Sequence, residues 1–171
     1  MQKTTKATVV FLEDSEGKIC LARKKKAIHH DGGEITFSLG TWNGYGGKEE
    51  ESDSTLLGTA VRELEQESGV RAREEDLIPC GRVYFFWRGN ISEIADMDVT
   101  FYILRSWSGI PCEGDEMGPP IFFEKGKIPY GEMMAADAFL FPKMFAGESP
   151  NYQVFFEIID KDGKPLCKKI G

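Results

Sequence analysis

The hydrophobic and polar positions fall into several short strand-like runs and two helix-like ones. Residues 6–12 (KATVVFL) are β-branched and apolar and predict a strand. EDSEGK then reads as a turn and residues 19–22 as a second strand, so the pair predicts a hairpin. Residues 23–41 begin with four basic side chains and continue without a clean period, which predicts a long loop of the kind that often carries function. The segment WNGYGGKEEE at 42–51 is rich in glycine, and SDST after it supplies N-caps for a helix ending near Ser68, with Gly69 as its stop. Gly58 inside that helix costs ~1 kcal/mol relative to Ala. Residues 81–87 and 98–105 predict strands, and 121–124 a short one. Residues 132–145 predict a helix as far as Pro142, and 152–159 a last strand before a DKDG turn. Strands separated by two helices indicate a layered α/β domain rather than a sandwich or a bundle.

Composition narrows the function. The chain has 171 residues, 41% hydrophobic and 29% charged, which fits one folded domain over 1–171 and argues against disorder. Lys plus Arg number 21 against 28 Asp plus Glu, a net charge of −7. That balance disfavours polymeric nucleic acid, whose affinity comes from cationic side chains on phosphates. Small phosphorylated ligands remain accessible through a bridging divalent cation. No apolar run approaches the ~18 residues of a membrane span, and the first residues lack the features of a signal peptide. Cys20, Cys80, Cys112 and Cys167 form no CxxC pair. The expectation is a cytoplasmic protein with reduced thiols and no membrane association.

The helical segment carries the chemistry. Glu63, Gln66 and Glu67 stand at i, i+3 and i+4 and share one face, while Ala60, Val61 and Leu64 cover a neighbouring face suited to packing on a sheet. Carboxylates crowded in this way repel unless a cation lies among them, and hard oxygen donors suit Mg²⁺ or Mn²⁺. A lone ExxxE is more often a solvated charged face; the glycine-rich approach and Arg62 raise the specificity of this one.

These residues resemble the Nudix hydrolase signature, GX5EX7REUXEEXGU with U a bulky apolar residue. Arg62, Glu63, Leu64, Glu67, Gly69 and Val70 match its right half and Gly47 its left end. Fourteen residues separate Gly47 from Arg62 where the pattern has thirteen, so either Asp53 or Ser54 falls at the first Glu position. Gln66 replaces the first Glu of the adjacent pair, and its uncharged amide predicts weaker metal affinity or fewer ions.

The resemblance implies an α/β/α sandwich around a central mixed β-sheet and hydrolysis of a nucleoside diphosphate linked to another group. It implies Mg²⁺, with Mn²⁺ as a substitute, held by the Gly46 carbonyl, Glu63, Gln66 and Glu67. Glu63 and Glu67 are then the catalytic carboxylates, Glu63 also helping to deprotonate the attacking water, and Arg62 joins the catalytic set as the partner that orients them. Lys48 is either a phosphate contact or a solvated lysine.

Further segments (WNGYGGK at 42–48, MDVTFY at 97–102, GDEM at 114–117, IPYGEM at 128–133) resemble the MutT-type branch that removes oxidised purine nucleoside triphosphates such as 8-oxo-dGTP. That likeness implies Asn43 on the base, Glu116 as a further metal ligand and Phe37 lining the base pocket, with Phe85, Trp87, Met97 and Met117 as further apolar wall. Met134 and Asp137 fall in the base-clamping segment. There Met134 stands where relatives have a stacking Trp, and of two adjacent Asp only Asp137 remains. Residues 26–36, with His29 and His30, have no counterpart.

The leading expectation is an Mg²⁺-dependent nucleoside triphosphate pyrophosphohydrolase that releases a nucleoside monophosphate and pyrophosphate. Two alternatives stay open: a Nudix hydrolase of a sugar nucleotide or dinucleoside polyphosphate, and a Nudix module that binds nucleotide without cleaving it. The sequence names no protein partner.

Overall fold

The computed structural model describes residues 4–30, 33–35, 38–86, 95–158 and 165–170. For 28–30, 33–35, 153, 155–158 and 165–170 it describes the backbone alone. Phe37, Trp87, the DKDG turn and the side chains of His29, His30 and Cys167 lie outside the described residues.

The first hairpin forms as expected: β1 (Thr5–Glu13) pairs antiparallel with β2 (Ile19–Arg23), Leu12 opposite Cys20. Residues 23–41 are not purely loop. They contain a small hairpin of β3 (Ile28–His30) and β4 (Gly33–Ile35), held by backbone pairing that leaves no hydrophobic alternation to read. The short β5 (Trp42–Asn43) adds to β2. Helix α1 (Leu56–Ser68) begins at Thr55, whose Oγ1 accepts the Gly58 N–H at 2.9 Å, and ends at Gly69 in the left-handed region (φ 73°).

Strand β6 (Leu77–Phe86) starts earlier than its apolar run suggests, because it passes through Pro79 with an irregularity between Pro79 and Gly81. It pairs antiparallel with β7 (Met97–Leu104), and β8 (Ile121–Phe123) lies against β2. Helix α2 (Asp137–Phe145) starts later than expected and runs through Pro142, although the ring removes one internal hydrogen bond. Packing holds it: Phe141 and Phe145 both meet the Phe11 ring edge-on at 4.9 Å. Strand β9 (Asn151–Ile158) runs parallel to β6, and β10 (Pro165–Ile170), which no sequence pattern suggested, pairs with β9.

Among the described residues eight strands form one mixed sheet in the order β10-β9-β6-β7-β1-β2-β5, with β8 also on β2. Period-2 alternation along β1 divides the core. Val10 and Leu12 pack with Ala60 and Leu64 of α1, whereas Ala7 and Phe11 pack with Leu140, Phe141 and Met144 of α2. The helices therefore cover opposite faces, giving the α/β/α sandwich. No helix among the described residues is long and apolar enough to cross a membrane.

Candidate active site

The glycine-rich segment lies directly on the backbone of β1. Val10 and Tyr45 exchange backbone hydrogen bonds (2.6 and 3.0 Å), and the Thr8 N–H donates to the Gly47 carbonyl at 2.9 Å. Contact this close leaves no room for side chains. A Cβ on Gly46 would lie 1.9 Å from the Thr8 carbonyl oxygen, and one on Gly47 would lie 2.4–2.7 Å from the Glu63 carboxylate atoms. The glycines thus let the loop pass between β1 and the acidic face of α1.

Arg62 joins this loop to the helix. Its guanidinium grips Asp53 through two bonds of 2.8 Å, donates to the Lys48 carbonyl at 3.1 Å, and donates to Glu63 Oε1 at 2.6 Å and Gln66 Oε1 at 3.2 Å. The position left open by counting is resolved: Asp53, not Ser54, faces the arginine. The fork geometry of this pair is the strong form of a charge-assisted bond. It holds the Asp53 carboxyl well below its usual range. Arg62 does not line the cleft described next; it orients Glu63 and the loop.

A cleft of 780 Å³ opens beside these elements and is lined by residues from both faces of the sheet. At one end lie Gly46, Gly47, Lys48, Glu63, Gln66, Glu67 and Glu116. Glu67 sits on the sheet-facing side of α1, only 5% exposed, and its Oε2 accepts the Gly46 N–H at 2.8 Å. Burial pushes its carboxyl up to about 7, aided by the charges of Glu63 and Glu116; Lys24 and the Gly46 N–H act the other way. Burial also raises Glu63, against the pull of Arg62.

This end suits a divalent cation. Hard oxygens line it, and the mutual repulsion of Glu63, Glu67 and Glu116 is what such an ion would relieve. The carboxylates are not already gathered around one point: among the described residues no three acid, imidazole or thiol groups form a ready cluster. Glu116 pairs instead with Lys26 at 3.2 Å.

The other end is apolar. Ala7, Val9, Phe85, Met97, Val99 and Phe101 form its floor on the α2 face, and Asn43, Met134 and Asp137 line it as well. Asn43 Oδ1 accepts the Gly44 N–H at 2.8 Å, which leaves the amide nitrogen to donate. Asp137, in the first turn of α2, is buried with Oδ2 unpartnered, and burial pushes its carboxyl up to about 7 while Lys24 opposes the shift. Thr8 Oγ1, also in the cleft, is buried without a partner. Met117 does not join this wall: it is fully buried on the opposite face, among the α1 core residues.

Sequence reasoning overlooked Thr8, Lys24, Lys26 and the ion-pair role of Asp53. Lys24 and Lys26 have only their place after the end of β2 to mark them, and Thr8 has only its place within β1. Asp53 alone had a signal, its count from Gly47.

The chain belongs to the NUDIX domain family, which matches residues 3–139. It is 34% identical over 141 residues to a protein of Danio rerio named oxidized purine nucleoside triphosphate hydrolase, covering 82% of this chain and 80% of the relative. It is 32% identical over 126 residues to the protein of that name in Mus musculus, covering 74% and 75%. Among solved structures, a MutT protein from Bacillus halodurans shares the fold with a TM-score of 0.72 at 15% identity, over 98% of this chain and 96% of that one. The NUDIX domain of Shewanella oneidensis NrtR, solved with ADP ribose, gives 0.62 at 14% identity, over 86% and 90%.

Proposed function

We propose that this protein is a divalent-metal-dependent hydrolase of oxidised or otherwise modified purine nucleoside triphosphates, releasing a nucleoside monophosphate and pyrophosphate. The observation that carries the reading is a single cleft with chemically opposite ends, one crowded with carboxylates and one apolar with hydrogen-bonding groups at its wall. A triphosphate has the same polarity. The family membership and the names of the relatives support the substrate class.

The residues that would hold Mg²⁺, or Mn²⁺ in its place, are Glu63, Glu67, Glu116, the Gly46 carbonyl and the Gln66 amide oxygen. A bound divalent cation supplies charge neutralisation at the phosphates and a lowered pKa for the attacking water. The Gly46 N–H fixes Glu67 in place, and Arg62 fixes Glu63. Glu63 keeps Oε2 clear of the arginine bond, so that oxygen is the candidate acceptor for the proton of the water. Lys48 stands on the same loop as a phosphate contact.

At the apolar end the Asn43 amide nitrogen donates to a carbonyl of the base. Asp137, with its carboxyl near 7, offers both an O–H donor and a carboxylate acceptor around neutral pH. Met134 gives soft contact to the ring. The substrate pool for such an enzyme is cytoplasmic.

The test is a nucleotide panel with Mg²⁺ and product identification in oxygen-18 water, which reports both substrate and phosphorus attacked. Turnover of modified purine triphosphates to monophosphate and pyrophosphate is expected. Turnover of sugar nucleotides or dinucleoside polyphosphates alone would refute the substrate class. No hydrolysis with Mg²⁺ or Mn²⁺ would make the chain a binding module.

A further inference from the structure

The four basic residues at 23–26 have separable tasks. Arg23 stacks over the Trp42 ring at 4.4 Å and pairs with Glu132. Lys25 ties down the segment before β8: its Nζ donates to Glu113 Oε1 and to the Gly114 carbonyl, both at 2.9 Å, and its N–H donates to the Glu116 carbonyl at 2.8 Å. Met117, fully buried, bridges to Lys24, and the Gly118 N–H donates to the Arg23 carbonyl at 2.8 Å. The backbone on both sides of Glu116 is therefore fixed, and only its side chain has freedom.

That side chain is 54% exposed, and its partner, the Lys26 ammonium, is 57% exposed. Both residues line the cleft at its acidic end, and the Glu116 charge acts on Glu63 and on Glu67. A solvent-exposed lysine–carboxylate pair is weak, whereas a divalent cation among several carboxylates is not. Glu116 thus has two competing partners, and whichever it takes decides where the Lys26 charge goes.

We propose that Lys26 is a polyphosphate-binding residue held in reserve by Glu116: when metal and nucleotide enter, Glu116 turns to the cation and the released ammonium takes an oxygen of the outer phosphates. This rests on the function proposed above. Lys26 holds the Glu116 carboxylate at the rim of the cleft, and it meets the triphosphate where the added negative charge is greatest.

The experiment compares wild type with Lys26→Gln and Lys26→Arg. Mn²⁺ binding without nucleotide is followed by electron paramagnetic resonance, pyrophosphate binding in the presence of Mn²⁺ by calorimetry, and steady-state kinetics on the triphosphate. In Lys26→Gln, Mn²⁺ should bind about two- to fivefold more tightly because its competitor is gone. Pyrophosphate Kd and triphosphate KM should each rise roughly tenfold, with kcat little changed. Lys26→Arg should restore both. Unchanged or weaker Mn²⁺ binding in Lys26→Gln overturns the exchange, and unchanged pyrophosphate Kd overturns the phosphate contact. Neither binding measurement needs turnover, so they judge Lys26 even if the wild type hydrolyses none of the panel.

Discussion

The two ends of the cleft are built by different means. At the acidic end, groups from one stretch of chain, residues 46–67, are joined by explicit bonds: Gly46 to Glu67, Arg62 to Asp53, Glu63, Gln66 and the Lys48 carbonyl. At the apolar end, residues from β1, β5, β6, β7 and α2 meet only because the sheet brings them together, and one polar atom there, Asp137 Oδ2, is left without a partner. A site that must hold charge needs a rigid frame of its own. A site that reads a base needs a dry wall and a few groups left open for it.

The largest effect should come from breaking the acidic end. Glu67→Gln removes a ligand charge and should lower metal-dependent kcat about 10³-fold, while the protein stays folded because a neutral amide replaces a carboxyl that burial already disfavours. Steady-state kinetics and a melting curve check both parts.

Breaking the frame rather than the ligand should cost stability. Asp53→Asn leaves Arg62 without its fork partner, and Tm should fall by roughly 5 °C or more, with activity lost through misplacement of Glu63.

At the apolar end, Asp137→Asn should lower kcat/KM for the modified purine about 10- to 100-fold, the value of a lost base contact. Pyrophosphate inhibition should stay near wild type, since the change lies outside the acidic end.

Both ends share a pH signature. Glu67 and Asp137 have folded values near 7, above their ordinary 4.5 and 3.8. Between these limits the folded state holds more protons than the unfolded one, so this contribution to metal-free stability is full below pH 4 and is lost as pH rises through 7. Tm without metal should therefore fall from pH 5 to pH 8; Asp137→Asn should flatten the slope, and saturating Mn²⁺ should remove the Glu67 share. A flat metal-free profile would contradict the burial assigned to both groups.

The smallest effect is expected at Gln66. Its oxygen already faces Arg62, so Gln66→Glu adds a charge divided between arginine and cation, and Mn²⁺ should bind only about three- to tenfold more tightly.

The contrast between the ends also explains what the sequence could disclose. The i, i+3, i+4 spacing places Glu63, Gln66 and Glu67 on one helix face, and the glycines 46 and 47 are dictated by contact with β1; both are local, so both are legible. The β-branched, apolar run of residues 6–12 marked β1 as a strand. Asp137, by contrast, gains its character from burial in the fold and from the charge of Lys24, more than a hundred positions earlier, and no local pattern records that. Met117 misled for the same reason, since its segment reaches the acidic end while its side chain turns into the α1 core. Lys26 read as one of four similar cations, and only the fold pairs Arg23, Lys25 and Lys26 with different carboxylates. The β3–β4 hairpin and β10 are held by backbone pairing, which leaves little trace in side-chain periodicity.

The most direct test of the two-ended site is a crystal structure with Mn²⁺ and a non-hydrolysable modified purine triphosphate, using anomalous scattering to place the ion. The account predicts manganese bound by Glu67 and Glu63, with the base against Asn43 and Asp137. Manganese away from those carboxylates, or a base lying at the acidic end, would contradict it.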